Sequence, residues 1–95
     1  MPAALDSKRV TELLKQTPGW SLSNGQIERT FSFKNYYETM GFVNAVAYIA
    51  NQADHHPDME VHYNNCKVAY STHSVGGLSE ADFTSAGKVN QLLDK

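Results

Sequence analysis

Asn24 and Gly25 are the local signal that most constrains this fold, because together they predict a tight β-hairpin. Both residue types tolerate the positive φ angles that a two-residue hairpin turn requires. Apolar and polar residues alternate on both sides of the turn, as they do in strands with one buried face. The apolar members of this pattern are Trp20, Leu22, Ile27, Phe31 and Phe33.

Three helices are predicted around this hairpin. The first spans about Asp6 to Gln16, and the second follows a capping signal at Asn35 and runs to about Asp54. The third begins after Ser79. We expect its core face to consist of Phe83, Ala86, Val89 and Leu93.

A second hairpin is predicted between the second and third helices. Val61 and Tyr63 alternate into a turn at Asn64-Asn65, and the return strand is expected to run on to His73. The predicted order is therefore α-β-β-α-β-β-α. This order is typical of an α+β fold in which three helices cover one face of a four-stranded antiparallel sheet.

The composition places the chain among small soluble globular proteins. It has 95 residues, 41% hydrophobic content and a net charge of -2, so we expect one domain over residues 1–95 and no direct nucleic-acid contact. No apolar run approaches the ~18–20 residues of a membrane span, and no signal peptide is expected. Cys66 is the single cysteine, which favours a cytoplasmic protein without an intrachain disulfide.

The second helix carries more apolar positions than one buried stripe can use. A helix that is apolar over most of its circumference is normally covered on more than one side. We therefore expect a homo-oligomer, in which a second copy supplies the additional cover.

Asp54-His55-His56-Pro57 is the densest group of titratable side chains, and His73 follows after the second hairpin. Histidine has an unperturbed pKa of ~6.5 and so exchanges protons near neutral pH. Pro57 restricts His56 to an extended conformation, which constrains both imidazoles. The alternative interpretation is a polar turn whose histidines are exposed and inert.

General acid–base catalysis, for example the elimination of water, is the chemistry that these residues favour. Cys66 has the parity of neighbouring core residues, so it is predicted to pack rather than to act as a nucleophile. A metal site built from Asp54 and the three histidines is less favoured, because adjacent residues of an extended segment point to opposite sides. His62 is predicted to be a surface histidine, and Asp82 to be first a capping residue.

Several short motifs follow one another along the chain at a specific spacing. They are Asp54-His55-His56-Pro57, Tyr63, Ser71-Thr72-His73, Gly77-Leu78-Ser79 and Asp82, with Trp20, Phe31-Ser32-Phe33-Lys34 and Gly41-Phe42 upstream. Together they resemble the pterin-4a-carbinolamine dehydratase family, from about Trp20 to Leu93.

This resemblance implies an α+β enzyme that forms dimers or tetramers and needs no cofactor. The implied substrate is 4a-hydroxytetrahydrobiopterin, which loses water to give quinonoid dihydrobiopterin during tetrahydrobiopterin recycling. The implied catalytic residues are His55, His56 and His73. The residues implied to contact the substrate are Asp54, Asp82, Trp20, Pro57, Ser71 and Thr72.

Three positions depart from the family pattern. Asn51 stands where an ionisable residue is usual, Met59 replaces an aromatic residue, and Ala81 replaces a basic one. We expect the activity to be retained, with a slower rate or a shifted pH optimum.

Two other functions stay open on the sequence alone. Some animal members of the family are dimerisation partners of a homeodomain transcription factor, so a protein-binding role for helix 36–53 is the main alternative. A metal-dependent hydrolase is the second. The three positioned histidines favour the enzyme, because a scaffold does not need them.

Overall fold

The computed structural model describes residues 3–93, whose elements follow the predicted order. The elements are α1 (Ser7–Lys15), β1 (Ser21–Ser23), β2 (Gln26–Ser32), α2 (Tyr36–Ala53), β3 (Asp58–Val61), β4 (Asn65–Tyr70) and α3 (Glu80–Asn90), with a 3-10 turn at His73–Val75 before α3.

The four strands form one antiparallel sheet in the order β1-β2-β4-β3. Pairing of β2 with β4 joins the two hairpins and sets Ile27 opposite Tyr70. The first hairpin turns at Asn24, with φ 52°, and Gly25, with φ 78°. These positive angles are the ones that the sequence predicted for this turn.

The core lies between one face of the sheet and all three helices. The sheet contributes Ile27, Phe31, Cys66, Val68 and Tyr70, and the helices contribute Val10, Leu13, Phe42, Val46, Phe83, Ala86 and Val89. The opposite face is polar: Lys67 lies between Thr30 and Glu60 and forms a 2.9 Å ion pair with Glu60. The predicted α+β architecture is confirmed.

Helix α2 begins and ends at the predicted residues. The Asn35 side chain accepts a hydrogen bond from the Glu38 N–H (2.9 Å), and the Glu38 carboxylate accepts one from the Lys34 N–H rather than from Asn35 itself. The buried positions of α2 follow helical spacing at Thr39, Phe42, Val46 and Ala50. Neither α2 nor any other helix within residues 3–93 combines the length and apolarity that crossing a membrane requires.

The face of α2 that points away from the core exposes Tyr37 (86%) and Tyr48 (66%). The expectation that a second copy of the chain covers this helix stays a prediction.

The second hairpin is shorter than predicted. Strand β3 ends at Val61, so Tyr63 lies in the loop. Strand β4 ends at Tyr70, which pairs with Ile27. His73 lies beyond this end, in the 3-10 turn, and is not on the strand as predicted. Beyond that point Thr72 pairs with Gly77, which turns the chain back on itself.

The prediction that Leu93 belongs to the core face of α3 is also wrong. Helix α3 ends at Asn90, and helical spacing no longer applies beyond its cap at Gln91. Leu93 is consequently 46% exposed, while Leu92 packs against the core.

Candidate active site

The pairing of β3 with β4 brings the histidine-bearing segments together. Asp58 lies opposite Ala69, so the segment before β3 and the segment after β4 are at the same end of the sheet. The first segment carries His55 and His56, and the second carries His73. The fold thus joins residues that a hairpin separates in the sequence.

The end of α2 sets the direction of the Asp54-His55-His56 segment. Asp54 is the cap and has a left-handed backbone, with φ 50° and ψ 42°. The His55 N–H then donates a 3.1 Å hydrogen bond to the Ala50 carbonyl. Glycine is the usual residue at such a cap, and an L-residue there is strained, although aspartate and asparagine adopt this conformation more readily than others. Asp54 is exposed and has this conformation directly before the two histidines.

His55 and Asp82 form the shortest polar contact of the site. Nε2 of His55 lies 2.6 Å from Oδ1 of Asp82, and the side chains are 18% and 0% exposed. A carboxylate only accepts hydrogen bonds, so Nε2 must carry the hydrogen of this contact. In the neutral imidazole Nδ1 is then the nitrogen that can accept a proton.

Asp82 also belongs to the start of α3, as the sequence predicted. Its Oδ2 accepts hydrogen bonds from the Ser79 N–H (2.9 Å) and from the Thr72 hydroxyl (2.8 Å). The Thr72 and Ser79 hydroxyls are also 2.8 Å apart. The buried carboxylate therefore has three hydrogen-bond donors, and its capping role and its contact with His55 coexist.

A cavity of about 170 Å³ brings the predicted site residues together. Its lining consists of Asp54, His55, His56, Ser71, Thr72, His73 and Ser74. All three predicted catalytic histidines are in this set, whereas Ser74 was not predicted. Within residues 3–93, no three His, Cys, Asp or Glu side chains are grouped so that they could hold a metal ion.

A second cavity, of about 290 Å³, adjoins the first. The two share Asp54, His55 and His56, and the second is also lined by Ala47, Ala50, Asn51, Pro57 and Met59. Pro57 lines this second cavity together with the histidines, whereas Ser71 and Thr72 line the first. Two of the three departures from the family pattern, Asn51 and Met59, lie in this one cavity.

Trp20 does not line either histidine cavity. It is 6% exposed, and its indole Nε1 donates a 2.8 Å hydrogen bond to Oδ1 of Asn90. The indole packs at 6.0 Å from the ring of Tyr70. The expectation that Trp20 contacts a substrate stays a prediction.

Tyr70 is the neighbour of His55 that the sequence did not single out. Its ring stacks on the imidazole, with 5.5 Å between centroids and 15° between planes. Burial, and to a smaller extent the Asp82 carboxylate, raises the pKa of Tyr70 to about 12. The strand parity correctly assigned Tyr70 to the core, but parity carries no information about which ring a core residue contacts.

A family model for "Pterin 4 alpha carbinolamine dehydratase" matches residues 3–92 of the chain. The chain belongs to this family. A Nitrosomonas eutropha protein named "Putative pterin-4-alpha-carbinolamine dehydratase" is 59% identical over 94% of this chain and 80% of its own length. A Stenotrophomonas maltophilia protein of the same name is 56% identical over 96% of this chain and 80% of its own length.

Two solved structures have a similar fold, and the first of them is also similar in sequence. A transcriptional coactivator/pterin dehydratase from Brucella melitensis superposes with a TM-score of 0.89 at 33% identity, over 94% of this chain and 97% of that chain. A pterin dehydratase-like protein described as a RuBisCO assembly factor has a TM-score of 0.65 at 19% identity, over 80% and 88% of the two chains. The second likeness shows a shared fold alone.

Proposed function

We propose that this protein removes water from 4a-hydroxytetrahydrobiopterin to give quinonoid dihydrobiopterin, by general acid–base catalysis. The observation that carries this proposal is the 170 Å³ cavity, whose lining includes His55, His56 and His73 together with Asp54. Membership of the dehydratase family supports it. A reductase can return the product to the tetrahydro form, so the proposed setting is pterin recycling in the cytoplasm.

His55 is proposed as the general base. The reaction needs the proton on N5 to be removed, so that the N–H electron pair forms the new double bond between N5 and C4a. Nδ1 of His55 can accept that proton because Nε2 already donates to Asp82. The buried carboxylate then stabilises the imidazolium that forms, in the way that an aspartate supports a catalytic histidine elsewhere.

A second histidine is proposed as the general acid. The C4a hydroxyl leaves as water once it receives a proton, and His56 and His73 both line the cavity where that proton is needed. A positioned acid or base typically contributes about 10²–10⁴-fold to the rate. The protein takes one proton from N5 and gives one proton to the leaving hydroxyl, so its net charge does not change in the reaction. The two histidines return to their starting protonation states by exchanging protons with solvent.

The bicyclic pterin is proposed to span both cavities. Ligand sites usually enclose ~300–1,000 Å³, so the 170 Å³ cavity is small alone, and the 290 Å³ cavity that adjoins it is at the lower end of this range. Asp54, Ser71 and Thr72 would accept hydrogen bonds from ring N–H groups, and Pro57 would contact the ring through its apolar surface. Asp82 is fully buried, so its proposed role is to hold His55 and Thr72 in place.

The test is to generate the 4a-hydroxypterin in a cuvette and to follow its ultraviolet decay with purified protein. We expect the wild type to accelerate the decay and the His55→Ala/His56→Ala double variant to lose that acceleration. Equal decay rates with the two proteins would overturn the enzymatic proposal.

We also propose that α2 mediates self-association into dimers or tetramers. The supporting observation is that Tyr37 and Tyr48 are 86% and 66% exposed on a helix whose core face is already buried. Light scattering at micromolar concentration should detect the oligomer, and Tyr48→Glu should dissociate it. A single monomeric species for the wild type would contradict this second proposal.

A further inference from the structure

Three rings follow one another through the core and end at the candidate site. The ring centroids of Trp20 and Tyr70 are 6.0 Å apart, and those of Tyr70 and His55 are 5.5 Å apart. We call Trp20, Tyr70 and His55 the ring stack. Trp20 and Tyr70 are 6% and 0% exposed, and His55 is the member that lines the two cavities.

Helix α3 places a buried polar side chain beside each end of the ring stack. Asp82 contacts Nε2 of His55, and Asn90 accepts the hydrogen bond from Trp20. A buried polar side chain is costly unless it is paired, so these two contacts indicate that α3 holds the ends of the ring stack in place.

The end of the ring stack that lies away from the cavities is firmly anchored. Oδ1 of Asn90 accepts a second hydrogen bond, 2.6 Å long, from the Arg29 guanidinium. Nδ2 of Asn90 donates a 3.0 Å hydrogen bond to the Pro18 carbonyl. Trp20 is thereby fixed against Tyr70, and Tyr70 has little freedom to move away from His55.

We infer that Tyr70 is a positioning residue for His55, whose ring fixes the plane of the imidazole. The contact with Asp82 fixes the position of Nε2, but the plane of the imidazole can still rotate about the line that joins Cβ to Nε2. A flat ring stacked against one face of the imidazole, at 15° between planes, removes this freedom. The direction of Nδ1 is then constant, and the consequence for catalysis rests on the proposed dehydratase function.

The ring of Tyr70, and not its hydroxyl, carries this role. The hydroxyl is buried and makes no hydrogen bond of good geometry within residues 3–93. The pKa of about 12 keeps the phenol neutral near neutral pH, so Tyr70 presents an uncharged face to the imidazole. Trp20 then influences the site through Tyr70, which is a different role from the substrate contact that the sequence predicted.

The experiment compares Tyr70→Leu and Tyr70→Met, which remove the flat face, with Tyr70→Phe, which keeps it. Residual dipolar couplings of the His55 ring C–H bonds, measured by NMR, report how strictly the plane of the imidazole is fixed. In the wild type and in Tyr70→Phe we expect the signals of one fixed ring orientation. In Tyr70→Leu and Tyr70→Met we expect averaged His55 signals, with couplings closer to zero, and a kcat lower by about tenfold with KM changed less than about twofold.

Phe31→Leu is the matched control, because Phe31 is an equally buried ring of the same sheet that contacts Trp20 at 6.2 Å and not His55. It should lose stability without changing the His55 signals or kcat. Met fills space flexibly, so Tyr70→Met is the variant to use if Tyr70→Leu does not fold. Wild-type His55 signals in a folded Tyr70→Leu or Tyr70→Met protein would overturn the inference.

The NMR measurement needs no substrate, which separates this inference from the proposed function. Averaged His55 signals in an inactive protein would support the positioning role while the dehydratase proposal failed. If the wild type is an active dehydratase and the His55 signals of Tyr70→Leu match those of the wild type, the positioning role fails while the dehydratase proposal stands.

Discussion

Nε2 of His55 and Oδ1 of Asp82 are 2.6 Å apart, although the two residues are 27 positions apart in the sequence. The same carboxylate accepts hydrogen bonds from the N–H of Ser79, the residue that caps α3, and from the Thr72 hydroxyl. The start of α3, the loop after β4 and the candidate base are therefore held by one buried group.

Asp82→Asn should impair both the fold and the reaction. The amide keeps the size of the side chain but has one acceptor oxygen instead of two, so one or two of the three donors lose their acceptor. We expect unfolding in urea to show a loss of about 1–3 kcal/mol and initial rates to fall about 10–100-fold.

Glu80→Gln is the control for Asp82→Asn, because Glu80 is an exposed acid of the same helix. Its ion pair with Arg9 has side chains that are 56% and 45% exposed, and such pairs contribute about 0–1 kcal/mol. Loss of activity in Glu80→Gln equal to that in Asp82→Asn would contradict a specific role for the buried carboxylate.

Asp54→Gly should be more stable than the wild type and less active. Glycine adopts the left-handed backbone of this cap without strain, so the free energy of unfolding should rise by about 1 kcal/mol. The rate should fall because the carboxylate is lost from the cavity. The Asp54→Asn variant, whose amide side chain tolerates the same backbone, separates the two effects: a wild-type rate in this variant would show that the charge is not needed.

Alkaline pH should destabilise the wild type more than Tyr70→Phe. The pKa of Tyr70 is about 12 in the folded protein and ~10 for an exposed phenol, so the folded state keeps a proton that the unfolded chain loses. Stability from this group is complete below pH ~10 and is lost as the pH rises to about 12. Between these limits the wild type should lose about 2 kcal/mol more than Tyr70→Phe in urea titrations, and parallel pH profiles would contradict the assignment.

Asn51→Glu should change the pH dependence of the rate. A carboxylate at this position would enter the cavity that already contains Asp54, His55 and His56, and it would interact with their charges. Gln52→Glu adds the same charge at an exposed neighbour that does not line this cavity. Superimposable pH–rate profiles for Asn51→Glu and the wild type would show that the departure at Asn51 has no effect on proton transfer.

The elements that the sequence predicted are those with local signals. The hairpin turn at Asn24-Gly25, the cap of α2 at Asn35 and the start of α3 at Ser79 each depend on a few neighbouring residues, and all three are confirmed. The motif spacing likewise led to the residues that line the 170 Å³ cavity, with the exception of Ser74.

The errors concern features that depend on packing between distant segments. Strand β4 ends at Tyr70, which pairs with Ile27 near the start of β2, so the alternation of side chains up to His73 was misleading. The stacking of Tyr70 on His55 joins the end of β4 to the segment that follows α2. No short-range pattern in the sequence reports either relationship.

The most direct test of the account is the steady-state dehydration rate of four single variants. His55→Ala, His56→Ala and His73→Ala remove histidines of the cavity, and His62→Ala removes an exposed histidine outside it. We predict that each of the first three lowers the rate by about 10²–10⁴-fold and that His62→Ala stays within about twofold of the wild type. Rates for the three cavity variants that match the rate of His62→Ala would contradict the account.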